Sequence, residues 1–346
     1  MPDIEKLIAA FEDPAIVELM VNPDGSVYAE TEGKGVERLL VAPTPQDVAA
    51  FLNGVIGTGE TFGADRPYAD LSAVDGSRVH VIAPPLVKGL AVTIRKRPAQ
   101  RPGLEALVNA GTLSQSCADF LTYLVGQKQN ILIAGGTSSG KTTLLAALAA
   151  KAGPDERVVV LEDTPELTLP QKHSLYLRTR IRDAGGRPDV TLRDLVVNTL
   201  RMRPDRIIVG ETRGPEASDM LQAMNVGADG MVTTLHANSA REALGRLETL
   251  VLQAGLDMPL KAIRSNIVSA VDFIVFMARL GDGSRKVMQV CELTGMEIET
   301  ISISDLFTYE VRKGGSVMRA TGSMPRFYDR LRKQGVEPPM DFFRSN

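Results

Sequence analysis

Apolar positions follow two different rhythms along this chain of 346 residues. Up to about residue 95 they come in short pieces. Ile16 to Val21 and Val27 to Glu30 flank the turn Asn22-Pro23-Asp24-Gly25, which predicts paired strands. Pro45 to Ile56 reads as a helix, with Thr44 as N-cap and Pro45 at its first position. Arg78 to Ile82 and Leu90 to Arg95 predict two more strands on either side of Pro84-Pro85. These pieces describe a small α/β domain over 1–95.

From Leu113 the pattern changes to continuous apolar runs separated by helical stretches. Strands are predicted at Asn130 to Ala134, Arg157 to Leu161, Arg206 to Val209 and Gly230 to Leu235, with helices at Leu192 to Met202 and Pro215 to Asn225. Alternating helices and unbroken apolar strands imply a mainly parallel sheet covered on both faces. The expected fold is therefore α/β: the small N-terminal domain, a Pro-rich basic linker over 96–112, and a larger α/β domain over 113–346.

One strand of the second domain runs straight into a phosphate-binding loop. Residues 135–142 read Gly-Gly-Thr-Ser-Ser-Gly-Lys-Thr, a complete G-x-x-x-x-G-K-[ST] pattern between an apolar strand and a helix. Gly135 and Gly140 allow the tight curl, and Gly136, Thr137, Ser138, Ser139 and Thr143 complete the cradle. Lys141 is expected to reach the β- and γ-phosphates and Thr142 to hold Mg²⁺. The chain is expected to bind a nucleoside triphosphate with Mg²⁺.

Composition narrows the setting. A formal net charge of −3 gives no global attraction to nucleic acid or anionic lipid. Cys117 and Cys291 fit no disulfide framework or metal spacing, which points to a reducing cytosol. The acidic start Met-Pro-Asp-Ile-Glu-Lys does not read as a signal peptide, and the longest apolar candidate, Ile267 to Met277, is broken by Asp272. Membrane association is expected only through a partner. The arginine-rich stretch Arg178 to Arg206 lacks interleaved aromatics, and the chain has no Trp, so direct nucleic-acid binding is not expected.

In sheets of this kind ligands bind at the carboxyl ends of the strands. There the sequence places Glu162-Asp163-Thr164-Pro165-Glu166, then Glu211 in Gly210-Glu211-Thr212-Arg213, then His236 in Thr233-Thr234-Leu235-His236. Glu162 is positioned to orient and deprotonate an attacking water, though capping of the next segment fits its position equally well. Glu211 fits the Mg²⁺ side, acting through a bound water. A neutral His236 fits a γ-phosphate sensor, with Thr233 and Thr234 extending its network. His80 and His173 read as structural or surface residues. Arg78, Arg95 and Lys96 lie on first-domain strands, from which an arginine could complete a phosphoryl-transfer site; Arg201, Arg203, Arg206 and Arg213 are expected to cluster near the Glu211 strand end.

The loop at 135–142, the box Leu161 to Leu167, Gly210 to Gly214 and Thr233 to Ser239, taken in that order, resemble the type II/type IV secretion ATPase superfamily. Leu200 to Glu211, Asp219 to Asn225, and the tail Arg319 to Gly322 with Pro325 to Tyr328 look most like its Tad/Flp pilus assembly group. The resemblance implies a RecA-like motor domain, a hexameric ring and ATP held between domains. It also implies Glu162 as catalytic glutamate, Glu211 as the Mg²⁺-side acid, His236 as sensor, and Arg78 and Arg95 as the arginines approaching the γ-phosphate. The function expected first is a Mg²⁺-ATPase powering pilus assembly through an integral inner-membrane platform protein. A conjugative or type IV secretion ATPase is the alternative, and a nucleotide switch or scaffold with little turnover a further one.

Overall fold

The computed structural model describes residues 3–31, 34–56, 67–97, 101–180, 188–310 and 317–344. Residues 98–100 of the expected linker and 181–187 of the arginine-rich stretch lie outside the described residues. Contacts divide the chain into two compact units. The first is drawn from Met1–Gln100, Thr164–Glu166 and Ile181–Asp189, the second from Arg101–Asp163, Leu167–Arg180 and Val190–Asn346.

The first unit contains α1 (Asp3–Glu12), β1 (Ile16–Val21), β2 (Val27–Thr31), β3 (Gly35–Leu39), α2 (Pro45–Val55), β4 (Tyr68–Ser72), β5 (Arg78–Ile82) and β6 (Ala91–Arg95). Its six strands form an antiparallel sheet in the order β3-β2-β1-β6-β5-β4. Helix α2 starts where the sequence places it. The Thr44 hydroxyl accepts from the Asp47 N–H, and the Asp47 carboxylate accepts from the Thr44 N–H, closing a capping box. Alternate strand residues, among them Leu19, Ala29, Val79 and Ile94, pack with Phe51 and Leu52 of α2 into one core.

The second unit begins with α3 (Leu104–Asn109), which falls inside the stretch expected as linker and buries Leu104 and Leu107 in this unit's core. There follow α4 (Gln115–Gly126), β7 (Ile131–Gly135), α5 (Lys141–Ala149), β8 (Val158–Glu162), β9 (Ser174–Arg178), α6 (Leu192–Thr199), β10 (Arg206–Val209), α7 (Glu216–Asn225), β11 (Val232–His236), α8 (Ala240–Leu252) and α9 (Leu260–Ala270). The chain then runs through β12 (Phe273–Arg279), β13 (Arg285–Glu297), β14 (Thr300–Glu310), β15 (Val317–Ala320) and α10 (Phe327–Lys333), with a final 3₁₀ turn at Asp341–Phe343. Nine strands make one sheet in the order β15-β14-β13-β12-β7-β11-β10-β8-β9. The pairs from β12 to β9 are parallel, and those from β12 to β15 are antiparallel.

β7, β8 and β10 are buried along their whole length, as their unbroken apolar runs require of a strand covered on both sides. One apolar layer, with Leu121, Leu144 and Val232, lies under α4 and α5; the other, with Met220, Leu235 and Ile267, lies under α6 to α9. Because β7, β11, β10 and β8 are parallel neighbours, their carboxyl ends form one continuous edge. Among the described residues no helix is long and apolar enough to cross a membrane.

Candidate nucleotide site

The loop after β7 turns where its sequence permits. Ser138 has φ 58° and Gly140 φ 98°, and the Ser139 hydroxyl donates to the Gly136 carbonyl at 2.9 Å. Gly135 is required for space: a Cβ there would lie 2.5 Å from Ser139 Oγ and 2.6 Å from the Met277 carbonyl oxygen. The chain passes Gly136 and Thr137 and enters α5 at Lys141, so Thr142 and Thr143 stand in the helix's first turn, where unpaired N–H groups and the helix dipole favour an anion. Lys141 Nζ donates to the carbonyls of Gly135 and Gly136, both at 2.8 Å. Burial lowers its pKa, with Glu211 opposing the shift and Arg213 adding to it. Thr143 Oγ1 accepts from Arg101 at 3.4 Å.

The neighbouring strand ends supply two acids and a histidine. His236, the last residue of β11, pairs in register with Gly135. Its Nε2 lies 3.4 Å from Glu211 Oε1, an ion-pair distance, while Glu211 Oε2 accepts from Arg213. Burial, then the Lys141 ammonium, push the His236 imidazole below its ordinary pKa; Glu211 pulls the other way. Glu162 closes β8 and is buried; both its oxygens accept from the Leu167 N–H, at 3.1 and 3.3 Å. Gly210 leaves it room, since a Cβ at that position would stand 3.1 Å from Glu162 Cγ.

The arginines divide by location. Arg78 on β5 and Arg95 on β6 are direct cross-strand partners in the first unit. The expected cluster beside Glu211 reduces to Arg213. Arg201, Arg203 and Arg206 precede β10 or begin it, and four strand residues, about 13 Å of chain, separate that end from the Glu211 turn. Arg206 is instead buried at the far end of the sheet, donating to Glu156 and to the carbonyls of Gly230 and Val125.

Two residues near the site escaped the sequence reading. Glu216 is buried and accepts from the N–H groups of Arg213 (2.6 Å) and Gly214 (2.8 Å), fixing the turn that carries Glu211. Its signal was an acid in the first turn of a predicted helix. Arg285, on the β13 side of a tight turn, donates to the Ser138 carbonyl at 3.2 Å, and nothing in its local sequence announces that long-range contact.

The sequence profile of the Type II/IV secretion system protein family matches residues 72–317. The chain belongs to this family. Among its relatives, "Conjugal transfer protein TrbB" of Rhizobium radiobacter is 36% identical over 296 residues, covering 84% of this chain and 88% of that protein. "Type IV secretion system protein VirB11" of Bartonella quintana is 30% identical over 329 residues, covering 83% and 91%. In fold, the Legionella pneumophila ATPase DotB superposes with a TM-score of 0.58 at 20% identity, covering 82% of this chain and 78% of that one. Membership makes this chain a nucleotide-binding, RecA-like secretion ATPase. The residues present fit a magnesium nucleotide: Glu211 Oε1 is buried and has no hydrogen-bond partner among the described residues, a carboxylate oxygen left for a cation or a bound water.

Proposed function

We propose that this chain is the ATP-hydrolysing motor of a type IV secretion or conjugal-transfer apparatus, working as a ring of identical subunits at the cytoplasmic face of the inner membrane. The observation that carries it is the chain-long similarity to TrbB and VirB11 proteins combined with the phosphate loop, His236, Glu211 and Glu162 along one sheet edge. This reverses the order of preference drawn from sequence, in which pilus assembly came first. A Tad/Flp pilus motor is retained as a second reading on Leu200 to Glu211, Asp219 to Asn225 and the tail Arg319 to Tyr328.

In this reading the loop N–H groups hold the triphosphate of ATP together with the Lys141 ammonium, which exchanges the carbonyls of Gly135 and Gly136 for phosphate oxygens. Thr142 and Glu211 hold Mg²⁺, which supplies charge neutralisation on the phosphates. Glu162 orients the attacking water and takes its proton, and a neutral His236 reports the state of the terminal phosphate. Arg78 and Arg95 complete a site from the first domain, of the same or a neighbouring subunit. Hydrolysis then drives rigid-body motion between the N-terminal domain and the motor domain, against an integral membrane platform protein.

The test is genetic. Lys141→Ala in the cell of origin should abolish conjugative transfer or effector secretion while surface pili persist. Loss of pili with transfer intact would transfer the proposal to the pilus reading.

A further inference from the structure

The turn bearing Glu211 is bolted to the strand bearing His236 by hydroxyl groups rather than by the sheet alone. β10 and β11 pair in register only through Ile208↔Val232 and Val209↔Thr233. Beyond Val209 the connection continues through one backbone bond and the hydroxyls of three threonines. The Thr234 hydroxyl donates to the Gly210 carbonyl at 2.7 Å, and the Thr212 N–H donates to the Thr234 carbonyl at 2.9 Å. The Thr212 and Thr233 hydroxyls share a hydrogen bond of 2.8 Å, and the Thr212 hydroxyl also reaches Met220 Sδ of α7 at 3.4 Å. All three threonines are buried, with 0–1% of their surface exposed.

Strand alternation puts the Thr234 and Thr233 hydroxyls, and so their bonds, on opposite faces of the sheet. Thr234 shares a face with Val232 and His236, in the layer under α5. Thr233 shares the other face with Leu235, in the layer that holds Met220. Gly210 and Thr212 are the two neighbours of Glu211, so the acid is gripped from above and below the sheet, one residue to either side. A glutamate on a short turn has several free torsions; one clamped in this way keeps its carboxylate at a constant offset from His236.

We propose that Thr212, Thr233 and Thr234 are positioning residues that hold Glu211 against His236, so that acid and imidazole enter the hydrolytic step as one rigid unit. This rests on the role given above to Glu211. The threonines touch no reacting atom and act through the residue they flank. Their hydroxyls, not their bulk, carry the effect, because Val preserves the branched shape and Ser preserves the hydrogen bond.

The experiment measures ATP turnover by the full chain with Glu211→Gln, Thr234→Val, Thr234→Ser, Thr212→Val and Thr212→Ser. Thr234→Val and Thr212→Val should each lower kcat about tenfold or more, with KM for ATP within about twofold of the parent. Each Ser variant should recover most of the loss. Val variants with parental kcat, or Ser variants as impaired as Val, overturn the proposal. Should Thr234→Val fail to fold, Thr212→Val poses the same question from the other face. Glu211→Gln separates the two levels. If it keeps full turnover, the role of Glu211 falls; if it is inactive while the Val variants are unimpaired, only the threonine clamp falls.

Discussion

Glu162 and Leu167 are joined through both carboxylate oxygens, at 3.1 and 3.3 Å from the Leu167 N–H. The acid at the end of β8 is thus buried and tied to the loop that follows it. Capping of the following segment, one of the two roles its sequence position allows, is what these bonds do; orienting the attacking water is the role proposed for it. Glu162→Gln keeps an oxygen able to accept from Leu167 but loses the base. Turnover should fall about 10²–10⁴-fold while binding of a fluorescent ATP analogue is retained. Loss of binding would show that the carboxylate's main work is structural.

Gly135 has no room for a side chain, since a methyl group there would stand within 2.6 Å of both Ser139 Oγ and the Met277 carbonyl oxygen. Gly135→Ala should push the loop off β12 at a cost of about 1–3 kcal/mol, and equilibrium binding should show weakened nucleotide affinity. Unchanged affinity would mean the loop adapts without cost.

Arg206 marks the opposite end of the same sheet. Its guanidinium is fully buried and makes four hydrogen bonds, two of them to Glu156. Arg206→Met should cost about 2–4 kcal/mol, reduced from the range for a wholly buried pair because Glu156 keeps some solvent contact. A urea titration should show the lower midpoint, with nucleotide binding intact in native buffer. A change in binding alone would place Arg206 in the site after all.

His236 is one of only three histidines, so its ring can be followed directly by NMR, with assignment from His236→Gln. Burial and Lys141 hold its folded pKa below the unfolded value. The sign follows from linkage: above about 6.5 the imidazole is neutral in both states and its contribution is complete. As pH falls through the folded value that stability is lost, because the unfolded chain takes up the proton first. The resonance should titrate below about 6.5, and turnover should decline over the same window. A midpoint above that value would remove the neutral-sensor role.

The parallel strands that build the site, and several elements of the first unit, could be read locally. β1, β5 and β10 fall where the apolar runs place them, and α2 where Thr44 and Pro45 do. The antiparallel half of the large sheet was not legible. Register shifts in the β13–β14 pair, between Val290 and Cys291 and between Leu293 and Gly295, break the period-two alternation by which a strand is recognised. The run from Ile267 to Met277 holds both the end of α9 and the start of β12, divided at Asp272, whose carboxylate accepts from the Asn130 N–H at 2.8 Å. Within the site, the strand-end residues were visible because each sits beside its own apolar run. The Thr212–Thr233 bond and the Arg285 contact join residues 21 and 147 positions apart, and only the fold brings them together.

That assembly completes the ATPase is tested most directly by phosphate release per subunit across a wide range of protein concentration, with mass measured by analytical ultracentrifugation at each point. Specific activity should rise as the ring assembles and then level off. Constant specific activity from a species that stays monomeric throughout would contradict a motor built between subunits.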